Sequence, residues 1–174
     1  MNKIFLFIGL TVVLLTFSAC FSPAEPTCRK ECKKDGENLP LWICSPKASG
    51  KIVVVSSSKK SPAGSGFQRA MASANSVAMI IDKIVNRARK KLMKAGIEPG
   101  EMKESLVSGK KFLAEVVRDH IKHLKVWDKT KDGTLYLMVG IPHKVFNTYV
   151  EDVIKRLLSF NKSDYDKYYK NKKH

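Results

Sequence analysis

The sequence predicts an α+β domain, a small antiparallel or mixed sheet with amphipathic helices packed on one face. Three observations predict it. Residues 51–58 read "KIVVVSSS", a β-branched run. Residues 67–95 carry apolar side chains at spacings of three and four. Two alternating runs, 121–128 and 134–141, flank Asp132-Gly133.

Each element follows in order. "LPLWICSP" opens the domain as an apolar patch around Trp42, closed by Pro46. The β-branched run reads as a strand, and "KKSPAGSG" as the loop after it. Between 67 and 95, Phe67, Ala70, Met71, Ala74, Val77, Ala78, Ile81, Ile84, Val85, Ala88 and Leu92 form one inward stripe of a helix. Ser65 followed by Gln68 resembles a capping box, and Gly96 and Pro99 stop the helix. A second helix over 101–119 turns Leu106, Phe112, Leu113, Val116 and Val117 inward, weakened by Gly109.

Asp132-Gly133 marks a hairpin. Leu124 and Val126 alternate with His123, Lys125 and Trp127, while Leu135, Leu137, Val139 and Ile141 alternate with Tyr136 and Met138. The helices then cover one sheet face. The opposite face carries His123, Trp127, Tyr136 and Met138, an open aromatic surface suited to a contact. A last helix spans 143–160, with Val145, Phe146, Tyr149, Val150, Val153, Ile154, Leu157 and Leu158 on one side. The remainder, 161–174, is Lys- and Tyr-rich and reads as a basic mobile tail.

The N-terminus has a different character. Lys3 precedes an apolar run from Ile4 to Leu15, shorter than the roughly 20 residues a spanning helix needs. It reads as a signal peptide. Phe17-Ser18-Ala19-Cys20 resembles a bacterial lipobox, which implies a lipid on Cys20 and cleavage before it. Residues 1–19 are then the signal and 20–38 a lipidated tether, since they contain Pro23, Pro26, Gly36 and a charged cluster without apolar period. Two or three acyl chains anchor stably. Phe21 rather than Asp after Cys20 resembles an outer-membrane sorting signal. The α+β domain covers 39–160.

Removing residues 1–19 from 174 leaves 155, enough for one domain with a core. The full chain carries +16, of which only Lys3 is lost with the signal. The cations are mostly Lys, whereas nucleic-acid readers favour Arg, and no nucleic-acid partner is expected. A Lys surface suits solubility or acidic partners such as headgroups and wall polymers. With Cys20 lipidated, Cys28, Cys32 and Cys44 remain, which allows one disulfide: Cys28 or Cys32 with Cys44.

No catalytic, metal or cofactor pattern is complete. "SPAGSG" lacks the Gly-Lys-Ser/Thr ending of a phosphate loop. "RDHIKH" offers Asp119, His120 and His123 without further ligands. Ser56, Ser57 and Ser58 have no nucleophile elbow. The expectation is a protein that is not an enzyme.

The lipobox at Cys20, "LPLWI", "GFQRAMASANSVAMIIDKIV" and "KVWDKTKDGTLYLMVGIP" together resemble the LPP20 family of bacterial outer-membrane lipoproteins. The likeness covers about residues 39–160. It departs at 51–66, where a Gly-rich strand is usual, and in the extra cysteines and the tail. The resemblance implies an envelope lipoprotein without catalytic residues; relatives include surface antigens and motility-associated proteins. The expected function is therefore contact with other envelope proteins or with itself, on a membrane reached through the N-terminal lipid. The alternative is a periplasmic domain that holds an acidic ligand or polymer.

Overall fold

The computed structural model describes residues 31–97, 113–159 and 161–170. Cys20 and Cys28 lie outside the described residues, as do Leu106, Phe112 and the whole 1–30 segment.

A compact unit runs over Glu31–His174. It contains β1 (Cys32–Lys34), β2 (Glu37–Leu39), α1 (Leu41–Cys44), β3 (Lys51–Ser58) and α2 (Gly64–Lys94). A helical stretch at 113–120, α3, follows. Then come β4 (Lys122–Trp127), β5 (Leu135–Pro142), α4 (His143–Leu158) and α5 (Lys162–Lys170). The fold class is α+β. The main sheet has order β3-β5-β4 and is antiparallel throughout.

β5 is the centre of the sheet, and Leu135 through Ile141 are buried on both of its faces. On the helix side Leu135, Leu137, Val139 and Ile141 are 2% exposed or less. They pack with Val54 of β3 and with Phe146, Val150, Val153, Ile154, Leu157 and Leu158 of α4. Each such side chain contributes about 1.5–3 kcal/mol of transfer free energy. Leu113 and Val117 of α3 join this core.

α2 has 31 residues, about 46 Å of helix, and its buried face changes along its length. Its first half buries Gln68, Ala72, Ser76 and Val77; its second half buries Ile80, Ile81, Ile84, Val85, Ala88 and Leu92. The small first-half residues bring the helix close to the sheet. Ser56 Oγ lies 2.6 Å from both Ser76 Oγ and Ala72 O, and Ser76 Oγ donates to Ala72 O at 3.0 Å. The single inward stripe expected from spacing holds at Val77 but fails elsewhere in the first half. Phe67, Ala70, Met71, Ala74 and Ala78 face solvent.

The capping box is absent as well. α2 has no side-chain cap, and Gln68 instead donates from Nε2 to Ser58 O at 2.9 Å and Gly133 O at 2.7 Å. That ties the start of the helix to two sheet ends.

The segment expected as a tether is partly structured. β1 and β2 pair antiparallel around Asp35-Gly36, whose φ angles of 50° and 75° fit a two-residue turn with both residues left-handed. The domain thus begins at Glu31 rather than at residue 39. The expected mobile tail also differs: Lys162–Lys170 is helical and Tyr168 is 7% exposed, packed into the helix-side core.

Candidate functional site

Residues paired across a sheet share a face. Val55, Met138 and Lys125 are paired in one row, and Ser57, Tyr136 and Trp127 in the next. Trp127, Tyr136 and Met138 therefore do share the face away from α2. His123 does not. A register shift between His123 and Lys125 pairs His123 with Val139, on the helix side. There its Nε2 lies 3.2 Å from Ser73 Oγ of α2. The extra residue of the bulge reverses the alternation that spacing alone suggests.

Nor is that face open. Tyr136 is 7% and Met138 1% exposed. The β1–β2 hairpin and α1 supply the cover: Cys32, Leu39 and Tyr136 are buried together, with Trp42, Ile43, Val55 and Trp127 packed against them. Cys32 is bonded to Cys44, twelve residues on, which closes hairpin and helix into one flap. Lys34 Nζ donates to Tyr136 Oη at 3.0 Å and sits 5.5 Å from the ring centroid. The hydrogen bond and the phenol beside it hold the Lys34 ammonium above its ordinary pKa. The backbone N–H of Lys131 donates to Glu37 Oε2 at 3.1 Å. The expected contact surface is thus largely an internal interface, with Tyr136 and Met138 buried and Trp127 partly buried.

The loop opposite the flap is rigidified by Asp132. Its carboxylate accepts from Thr134 N at 2.9 Å and from Thr134 Oγ1 at 2.7 Å. These bonds lower its pKa from 3.8 to about 2. A cavity of about 180 Å³ lies between loop and flap, where Lys34 and Lys131 face Asp35, Glu37 and Asp132.

His120, the other sequence candidate, stands against Tyr149. Nδ1 lies 2.9 Å from Val116 O and 2.8 Å from Tyr149 Oη, with the rings edge-to-face. Burial first, then Asp119 and Asp152, push the Tyr149 phenol up. Through these contacts the pair pins α3 to α4. Among the described residues there is no group of three metal-ligating side chains and no helix long and apolar enough to cross a membrane.

Sequence reasoning missed a larger cleft of about 440 Å³ between α2 and the start of α4. Lys83, Asn86, Arg87 and Lys90 of α2 and His143 and Asn147 of α4 line it, over a floor of Ile52 and Phe146. Among the described residues no acidic side chain lines it. The spacing 83, 87, 90 was a usable signal, because residues three and four apart share a helix face. The facing residues on α4 were not legible without the fold.

Comparison with protein-family models, with curated proteins and with solved structures returns no match.

Proposed function

We propose that this chain is a lipid-anchored, non-enzymatic protein of the bacterial cell envelope whose domain works by associating with a second copy of itself. The lipobox-like "FSAC" and the resemblance to outer-membrane lipoproteins support the location. The observation that carries the mode of action is the outward face of α2. Phe67 and Met71 are 51% and 42% exposed, with Ala70, Ala74 and Ala78 exposed beside them. A contiguous apolar helix face left in water marks an interaction site. Alanines at i, i+4 and i+8 let a second helix approach closely, and two large side chains fill the seam. Tethering both copies to one membrane raises their effective concentration without any new contact. The test is sedimentation velocity on the full chain in detergent, beside Phe67→Glu/Met71→Glu. The wild type should sediment as a dimer or larger and the variant as a monomer. Identical sedimentation would remove this face from the account, and Met93→Glu, at a residue 58% exposed near the other end of α2, serves as the control.

A second reading, an acidic ligand held on the basic surface, is favoured by one observation: the acid-free cleft of Lys83, Arg87 and Lys90.

A further inference from the structure

Two sets of cations on α2 differ in their pairing. Arg69 lies 3.7 Å from Asp128, and Lys91 lies 2.6 Å from Glu151. Lys83, Arg87 and Lys90 form no ion pair among the described residues, although they stand one above another on a single helix face. Like charges at these spacings repel and cost helix stability. A cluster of that kind is relieved by an anion placed between its members.

The cleft supplies what such an anion requires. Asn86 and Asn147 add amide donors from the two opposing helices. α4 is 16 residues long, begins at His143 and has neither a side-chain cap nor an acidic residue in its first turn. Its positive end therefore adds to the field of the three cations. The backbone N–H of His143 donates to Gly50 O at 3.1 Å, which fixes that helix start against the sheet. Ile52 and Phe146 make an apolar floor, so charged groups are held at the walls and a less polar part of a ligand can rest below.

We propose that this cleft is a binding site for a phosphate-bearing anion. The three cations span seven residues, about 10 Å along the helix. That is too long for one phosphate to meet all three and suits linked phosphates or a phosphate within a larger headgroup. Arg87 provides a fork for two phosphate oxygens, while Lys83 and Lys90 act as point charges. The inference rests on the acidic-ligand reading and gives it a place and a chemical class.

The test uses the full chain in non-ionic detergent at low salt, titrated calorimetrically with inorganic tripolyphosphate and, separately, with glycerophosphoglycerol, the free headgroup of phosphatidylglycerol. Three proteins are compared: wild type, Lys83→Gln/Arg87→Gln/Lys90→Gln, and Lys122→Gln/Lys125→Gln/Lys129→Gln, which loses equal charge elsewhere. Circular dichroism verifies that all three are folded. Wild type and the second variant should bind alike, and the cleft variant about ten- to a hundredfold more weakly. Binding of tripolyphosphate alone assigns a soluble phosphate ligand; binding of glycerophosphoglycerol, or its displacement of tripolyphosphate, assigns a lipid headgroup. If both variants weaken equally, the cleft is overturned while a diffuse basic surface survives. If no protein binds either probe, the cleft and the acidic-ligand reading fall together.

Discussion

Lys34 donates to the hydroxyl of Tyr136 at 3.0 Å, although 102 residues separate them in sequence. The bond joins the flap of β1, β2 and α1 to the central strand, and it explains how the sheet face away from the helices comes to be closed. The disulfide between Cys32 and Cys44 holds the two ends of that flap together.

Opening the disulfide should loosen the flap. Closing a loop of this length is worth about 3 kcal/mol in the chain-entropy model. Cys32→Ala/Cys44→Ala is expected to melt at a lower temperature and to shift the Trp emission to the red, as Trp42 and Trp127 meet water. Unchanged melting and emission would mean that packing alone holds the flap.

Trp127 buries its indole Nε1 without a hydrogen-bond partner among the described residues. A buried donor left unsatisfied costs about 1–3 kcal/mol. Trp127→Phe keeps most of the packing and removes the donor, so urea unfolding should find it as stable as wild type or more so. Trp127→Ala removes the packing too and should lose about 3 kcal/mol.

Asp132 gives the fold a dependence on acid. Its pKa is lowered from 3.8 to about 2 in the folded chain, so its stabilising bonds are fully present above 3.8. They are lost as pH falls from 3.8 through about 2, where the folded carboxylate takes up its proton. Melting temperature measured across that window should fall more for wild type than for Asp132→Asn. Parallel curves would show that the loop does not depend on this charge.

Gly140 sits in the middle of β5 because three side chains occupy the space of its missing Cβ. A Cβ there would meet Leu124 Cδ1 at 2.9 Å, Lys51 Cδ at 3.2 Å and Val53 Cγ1 at 3.3 Å. Gly140→Ala should cost about 1–3 kcal/mol, and adding Leu124→Ala should recover part of it in thermal unfolding. Full stability in the single variant would mean that the bulged strand shifts freely.

The elements with strong periodicity were legible in the sequence. β3, β5, α4 and the second half of α2 declare themselves through β-branched runs, alternation or an apolar stripe. β1 and β2 did not, because three-residue strands such as "CKK" and "ENL" are too short to show a period. Their one signal was Asp35-Gly36, the same dipeptide that drew attention at 132–133. There the strands are joined by the longer stretch 128–134 between Trp127 and Leu135. "LYLMVGI" held a further clue, since an almost continuous apolar run marks a strand covered on both faces. The bulge at Leu124 and the solvent-facing Phe67 and Met71 are tertiary outcomes. Composition made those two side chains look like core, and only the close seat of Ala72 and Ser76 on Ser56 shows which side of α2 meets the sheet. The cleft was half legible, since its α2 cations share a face in any helix while His143 and Asn147 arrive through the fold.

The central claim, an envelope protein held by lipid, is tested most directly by the intact mass of the chain extracted from its native membrane, beside Cys20→Ala. The account expects a chain that begins at Cys20 and carries acyl groups, with neither cleavage there nor acylation in the variant. An unmodified, freely soluble chain of unaltered mass would contradict it and leave Cys20 an ordinary cysteine.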